Sequence, residues 1–253
     1  MRLAVCFDNL GPYHTARLEN LASRCDLFAL QFRRASIEYQ WAPQSSASFR
    51  LSTIIENNED FSPSLAYRRI DSVLTKSNPD VIAIPGWASS FAHILMLWSL
   101  KHHVPMILMS DSQIIDFPRT KMKEWLKSHL ISLFSSAFVA GTKHLDYLLT
   151  LGFEETHITD GYDVVDNTYF IKNANNVRSI DSEFRRNLGL PAKYILCCAR
   201  LVEKKNLAHL VDSYSRYLAN RSGSLAELRH LLIVGDGPLK EDLLIKVASC
   251  GQL

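Results

Sequence analysis

The stretch DVIAIPGWASSFAHILMLWSLKHHVPMILMSD (residues 80–111) decides the fold. It holds two short apolar runs, within DVIAIPG and PMILMSD, on either side of a segment long enough for a helix. Neither run alternates apolar with polar residues, and such a run marks a strand buried on both faces. Two strands joined by a helical crossover of a dozen residues or more lie parallel. The same unit recurs outward along the chain. RLAVCFD near the N-terminus reads as a buried strand, then a turn at Gly11-Pro12 and a helix from about His14. DLFALQF and FRLSTII read as further strands, and SLAYRRIDSVLTKSN places Leu65, Ala66, Ile70, Val73 and Leu74 at helical spacing. RTKMKEWLKSHLISLF reads as a helix, AFVAG as a strand, TKHLDYLLTLG as a helix and THITDGYDVV as a last strand or extended exit. Repeated units of this kind predict an α/β fold, a doubly wound parallel sheet with helices on both faces. Its ligands are expected beyond the carboxyl ends of the strands.

The composition narrows the class. The chain has 253 residues, 47% of them hydrophobic and 21% charged, with a net charge of +2. A dedicated nucleic-acid binder would carry a strong basic stripe, so nucleic acid is not an expected partner. Five cysteines form no C-x-x-C pair and leave one over, which suits a reducing, cytoplasmic compartment. FAHILMLWSL, the longest apolar segment, falls short of a membrane span.

Around residues 166–182 the sequence turns polar and rich in asparagine, as a linker would. A first domain is therefore expected over residues 1–165 and a second over 183–253. In the second, KYILCCARLVEKKNLAHLVDSY runs from strand to helix, with Arg200 at the strand's carboxyl end. Lys204 and Lys205 fall at the helix N-terminus, where cations oppose the helix dipole and add nothing to stability. They are well placed to share an anion with the free N–H groups of the first turn. A pyrophosphate held between an arginine fork and a lysine fits this arrangement, against the plainer reading of a solvated charge cluster. HLLIVGDGPLKEDL supplies a second strand–turn–helix, in which Gly235 and Gly237 allow close backbone approach.

ARLVEKKNLAHLVDSY followed by LLIVGDGPLKEDL resembles the retaining GT-B glycosyltransferases of family 4. In that family similar segments open the nucleotide-sugar domain. The resemblance implies that Arg200 and Lys205 hold the donor diphosphate and that Gly235 lies beside the nucleotide. Ala199 and Asn206 stand where the family pattern has glycine. DNLGPYHTARLENLA is similar to the family's first loop, which would bring Gly11 to the donor phosphates, although Pro12 replaces a second glycine. His14 and Arg17 follow on one helix face, and His14 reads as a catalytic contact or as a capping histidine. GYDVVDNTYF looks like the family's crossing segment between domains, keeping Val165, Asp166 and Phe170.

On the acceptor side, Trp87 could stack on a glycan, a lipid-linked acceptor or a small molecule, or simply close a core. Asp111, at a strand end, is a candidate to polarise an acceptor hydroxyl. No Asp-x-Asp motif stands in the chain, so neither metal nor cofactor is expected beyond the nucleoside-diphosphate sugar itself. Arg119, Lys121, Lys123 and Lys127 share a helix segment with Trp125 and Leu126. That segment reads as a packed helix with a solvated basic side, or as peripheral contact with the inner face of a membrane. The family's E-x7-E motif does not follow the second glycine turn, which predicts a truncated donor domain. The expected function is transfer of a sugar from a nucleoside-diphosphate donor with retention. A nucleotide-sugar epimerase of the same fold and a catalytically dead binding subunit are the rivals.

Overall fold

The two apolar runs at residues 81–85 and 106–110 lie side by side and parallel in the computed structural model, which describes residues 1–34, 41–56, 60–220 and 228–249. They are β4 (Val81–Pro85) and β5 (Met106–Ser110), and α3 (Ser90–His102) crosses between them. The Ser89 hydroxyl accepts from the Ala92 N–H at 3.0 Å and fixes where α3 begins. His103, in the left-handed conformation, ends it.

The other units attach on both sides. β1 (Arg2–Phe7) and α1 (Pro12–Ala22) lead to β2 (Asp26–Arg33) and β3 (Arg50–Ile55), and α2 (Pro63–Ser77) returns the chain to β4. Beyond β5 come α4 (Lys121–Ile131), β6 (Ser136–Val139), α5 (Thr142–Thr150) and the two-residue β7 (Ile158–Thr159). The sheet order is β3-β2-β1-β4-β5-β6-β7, with every pairing parallel. The order reverses beside β1, so the switch point lies between β1 and β4.

The strands' two-residue period sorts their side chains into two cores. Ala4, Cys6, Leu30, Ile82, Ile84 and Leu108 face one way, against Ile70 of α2, Leu95 of α3, Ile131 of α4 and Tyr147 of α5. Leu3, Val5, Phe7, Leu27, Ala29 and Met109 face the other way, against Leu18 of α1. Each large apolar side chain buried this way contributes roughly 1.5–3 kcal/mol. Trp98 is buried whole, and its indole N–H finds Asp71 at 3.1 Å.

Contacts divide the chain into two units, Met1–Thr168 and Tyr169–Leu253. The expected linker is not extended: α6 (Asn167–Ser179) and α7 (Asp181–Asn187) occupy it. Asparagine has weak helix propensity and masks the pattern, yet α6 forms without burying any residue.

In the second unit β8 (Tyr194–Cys198) pairs parallel with β9 (His230–Val234). α8 (Leu207–Ala219) and α9 (Lys240–Ser249) cover one side through Leu207, Val211 and Leu243, which pack with Cys197 and Ile233. The Lys246 ammonium of α9 meets Asp212 of α8 at 2.6 Å.

Candidate functional site

In the first unit the chain leaves β1 and turns into α1 at Gly11, with Pro12 as the first helical residue. Proline suits that place because the missing N–H would be unpaired in any case. The Gly11 N–H donates to His14 Nδ1 at 3.0 Å, so the imidazole caps the helix with its lone pair. The His14 ring stacks on Phe7 at 4.3 Å and meets Trp41 edge-on at 5.7 Å. Burial pushes the His14 pKa down to about 4, and Arg17 adds to the shift while Asp163 opposes it. His14 is therefore neutral at physiological pH, and its Nδ1 is committed to the cap. This favours the capping reading over direct catalysis. A β-carbon on Gly11 would lie 2.4 Å from the Trp41 ring. A side chain at this position would displace the Trp41 ring, whatever the glycine offers a phosphate.

Arg17 lies with its guanidinium 5.0 Å from the centre of the Tyr162 ring and donates to the Tyr162 carbonyl. Burial raises the Tyr162 pKa, and the negative charges of Asp111 and Asp163 push the same way. Asp111 is exposed just past the end of β5. His14, Arg17, Asp111, Tyr162 and Asp163 therefore share one electrostatic neighbourhood. Tyr162 and Trp41 belong to this neighbourhood and are not marked by the sequence pattern. Tyr162 sits inside the quoted crossing segment, whereas Trp41 carries no local signal. A groove of about 840 Å³ runs from Tyr162 and Arg17 along the sheet, over Val5, Ala83, Ile107 and Met109.

Trp87 goes elsewhere. It is 6% exposed and packs in the core with its ring 6.3 Å from that of Tyr147, and its backbone carbonyl accepts from His93 Nε2 at 2.8 Å. So buried a ring has no face for a sugar, and core closure is its role.

In the second unit the loops after β8 and β9 are joined backbone to backbone. The Ala199 N–H donates to Val234 O at 3.1 Å, Leu201 N–H to Asp236 O at 2.9 Å, and Leu239 N–H to Leu201 O at 3.1 Å. A β-carbon on Gly235 would lie 1.9 Å from the Ala199 carbonyl oxygen, and one on Gly237 would lie 2.6 Å from that of Leu201. Both glycines are thus demanded by the approach of the two loops. That approach holds Arg200, half-buried, at the carboxyl end of the parallel pair.

Glu203–Lys205 form one 3-10 turn, and Asn206 follows with φ 49° and ψ 40°. This is the left-handed region, which glycine enters without cost and asparagine better than most residues. The conformation accounts for asparagine where the family pattern has glycine. Lys204 and Lys205 are exposed directly ahead of α8, where the His209 and Leu210 N–H groups donate to the Asn206 carbonyl at 3.2 and 3.4 Å. Those of Leu207 and Ala208, which have no intrahelical carbonyl to reach, are the ones placed to meet an anion. Neither lysine forms an ion pair with a described residue. The structure thus collects Arg200, Lys205 and Gly235 in one loop pair, and Gly11, His14 and Asp111 in the first unit.

No family model matches the chain, and no curated protein does either. Solved structures do. A UDP-N-acetylglucosamine 2-epimerase from Rickettsia bellii superimposes with a TM-score of 0.58 at 12% identity, over 99% of this chain and 66% of its own. Anabaena Alr3699/HepE, solved with UDP and glucose, gives 0.67 at 14% identity, over 99% and 66%. The lipopolysaccharide outer core galactosyltransferase WaaB gives 0.53 at 13% identity, over 99% and 65%. At such identities the likeness shows the fold, the Rossmann-like α/β architecture of GT-B proteins. The chain spans about two thirds of the length of these structures.

Proposed function

We propose that this chain belongs to a nucleotide-sugar enzyme, and that the reaction is transfer of the sugar to an acceptor hydroxyl with retention, as in GT-B glycosyltransferases of family 4. The observation that carries the reading is the cationic turn of the second unit. Arg200 sits at a strand's carboxyl end, beside two lysines ahead of a helix N-terminus and a glycine turn bonded to it. Two lysines before a helix weaken the helix, so an anion is the partner that makes the placement favourable. In the reaction the bond from the sugar to the diphosphate breaks, and negative charge gathers on the departing phosphate. Arg200, Lys205 and the α8 N–H groups would stabilise that charge without a metal ion or cofactor. Asp111 would orient the acceptor hydroxyl, a glycan, a lipid-linked sugar or a small molecule. The thiols of Cys6, Cys25, Cys197 and Cys198 are free, which suits a cytoplasmic setting.

Epimerisation of a nucleotide sugar stands as the second reading, because epimerases and transferases are both among the structures that share the fold. Incubation with a UDP-sugar alone separates the two, since an epimerase changes its substrate without an acceptor. The binding claim is tested by titrating UDP into the chain by calorimetry. Replacing Arg200 or Lys205 with alanine removes a charged hydrogen bond, so each is expected to weaken binding about tenfold to a hundredfold. Unchanged affinity in both variants would overturn the assignment.

A further inference from the structure

We propose that the segment from Ile114 to Leu126 is a docking surface for an anionic lipid bilayer, independent of the reaction proposed above. The surface has two parts. The loop before α4 exposes Ile115 and Phe117, each by 74%, and α4 itself exposes Met122 by 77% and Trp125 by 62%. Leu126 continues the stripe, and His129 follows on the same side at helical spacing. The opposite side of the helix is already used. Ile131 enters the core, and Glu124 and Lys127 meet each other at 2.7 Å and both bond the Tyr147 hydroxyl. The outward stripe is therefore not the face that packs α4 onto the sheet. A helix anchored on one side has no folding reason to carry a tryptophan and a methionine on the other.

Charge decides what covers it. Lys121 and Lys123 flank Met122 on either side of the stripe, and both are exposed. Of the segment's two acidic groups, Glu124 is held by Lys127 and Tyr147, while Asp116 is exposed and accepts from the Gln113 N–H at 2.7 Å. The exposed Lys121 and Lys123 thus outnumber the one exposed carboxylate. Arg119 does not compete for lipid, since it donates to the carbonyls of Gln113 and Ile114 and pins the loop in place. The apolar loop is thus pre-shaped beside the helix. An apolar stripe bordered by lysines, with a tryptophan among the exposed rings, matches the interface of an acidic bilayer. A second copy of the chain fits less well, because a two-fold contact would bring both lysine pairs into one interface. Among the described residues no helix is long and apolar enough to cross a membrane, so the contact is peripheral.

The test is co-sedimentation of the full chain with phosphatidylcholine vesicles, with and without phosphatidylglycerol, in the absence of nucleotide. Binding is expected only with the anionic lipid, and is expected to fall as salt rises. Lys121→Glu with Lys123→Glu is expected to lower partitioning about tenfold or more. Met122→Ser with Trp125→Ser is expected to lower it comparably, with unchanged circular dichroism. Three results overturn the proposal: no binding, equal binding to neutral vesicles, or a dimer in sedimentation that Trp125→Ser dissociates. Because no sugar nucleotide is present, any of these leaves the UDP-binding test untouched.

Discussion

Protonating His14 would take away the lone pair that caps α1, because the Gly11 N–H donates to it. Burial is the main reason its pKa falls from 6.5 to about 4. The unfolded chain therefore binds more protons than the folded one between those values. Stability should be complete above pH 6.5 and fall as the pH drops toward 4. The window corresponds to roughly 3 kcal/mol. Urea midpoints measured across it should slope in the native protein and lose that slope in His14→Gln. A native midpoint flat between pH 4 and 6.5 would show that the imidazole is not held as described. Gly235 tests a different contact. Its missing side chain leaves room for the Ala199 carbonyl, and Gly235→Ala would force the two loops apart. Overpacking of that kind costs typically 1–3 kcal/mol, and here backbone must move rather than a flexible side chain. The expected result is loss of UDP binding together with faster amide exchange at Ala199 and Leu201. Unchanged exchange at both would contradict the packing role. The sequence shows these glycines as a pattern but gives no partner for them, since the atom that excludes a side chain lies in a loop more than thirty residues away.

At the scale of elements, the strands were the readable part. Val81–Pro85 is apolar throughout and Met106–Ser110 apolar up to its last residue because both faces are covered, and burial of that kind leaves its mark on composition. The α6 segment left none. Its thirteen residues include four asparagines, and none of the thirteen is buried, so no apolar stripe distinguishes a helix from a solvated linker. Trp87 failed for the opposite reason: a tryptophan after a strand looks the same in sequence whether it caps a core or faces a cleft. The weak burial of α6 has a consequence for dynamics. A helix of this length is marginal in water without packing. Its amides should exchange close to the rate of an open chain, and limited proteolysis should cut first near Tyr169 and Phe170, both exposed. Cleavage inside α3 before α6 would contradict this, since α3 buries Phe91, Leu95 and Trp98.

At the scale of the whole molecule the two units differ in how much core each holds. The first has apolar cores on both faces of a seven-stranded sheet, whereas the second rests on Leu201, Leu207, Val211 and Leu243 around two strands. On β8, Ile195 and Leu196 remain exposed. A two-stranded sheet is marginal unless helices cover it, and here one small cluster supplies the cover. The second unit should therefore open at lower denaturant than the first, and unfolding should not be two-state. The tryptophans offer a direct reading, because Trp41, Trp87, Trp98 and Trp125 all lie in the first unit. Far-UV circular dichroism, which sees α8 and α9, should begin to fall while tryptophan fluorescence is still native. UDP binding should be lost with that earlier phase, since Arg200 and Lys205 stand on the unit that opens. UDP should also shift the earlier phase upward and leave the later one in place, because a ligand stabilises only the unit that binds it. Coincident transitions by both probes would mean that the units fold as one, and that the small second core draws its stability from the first.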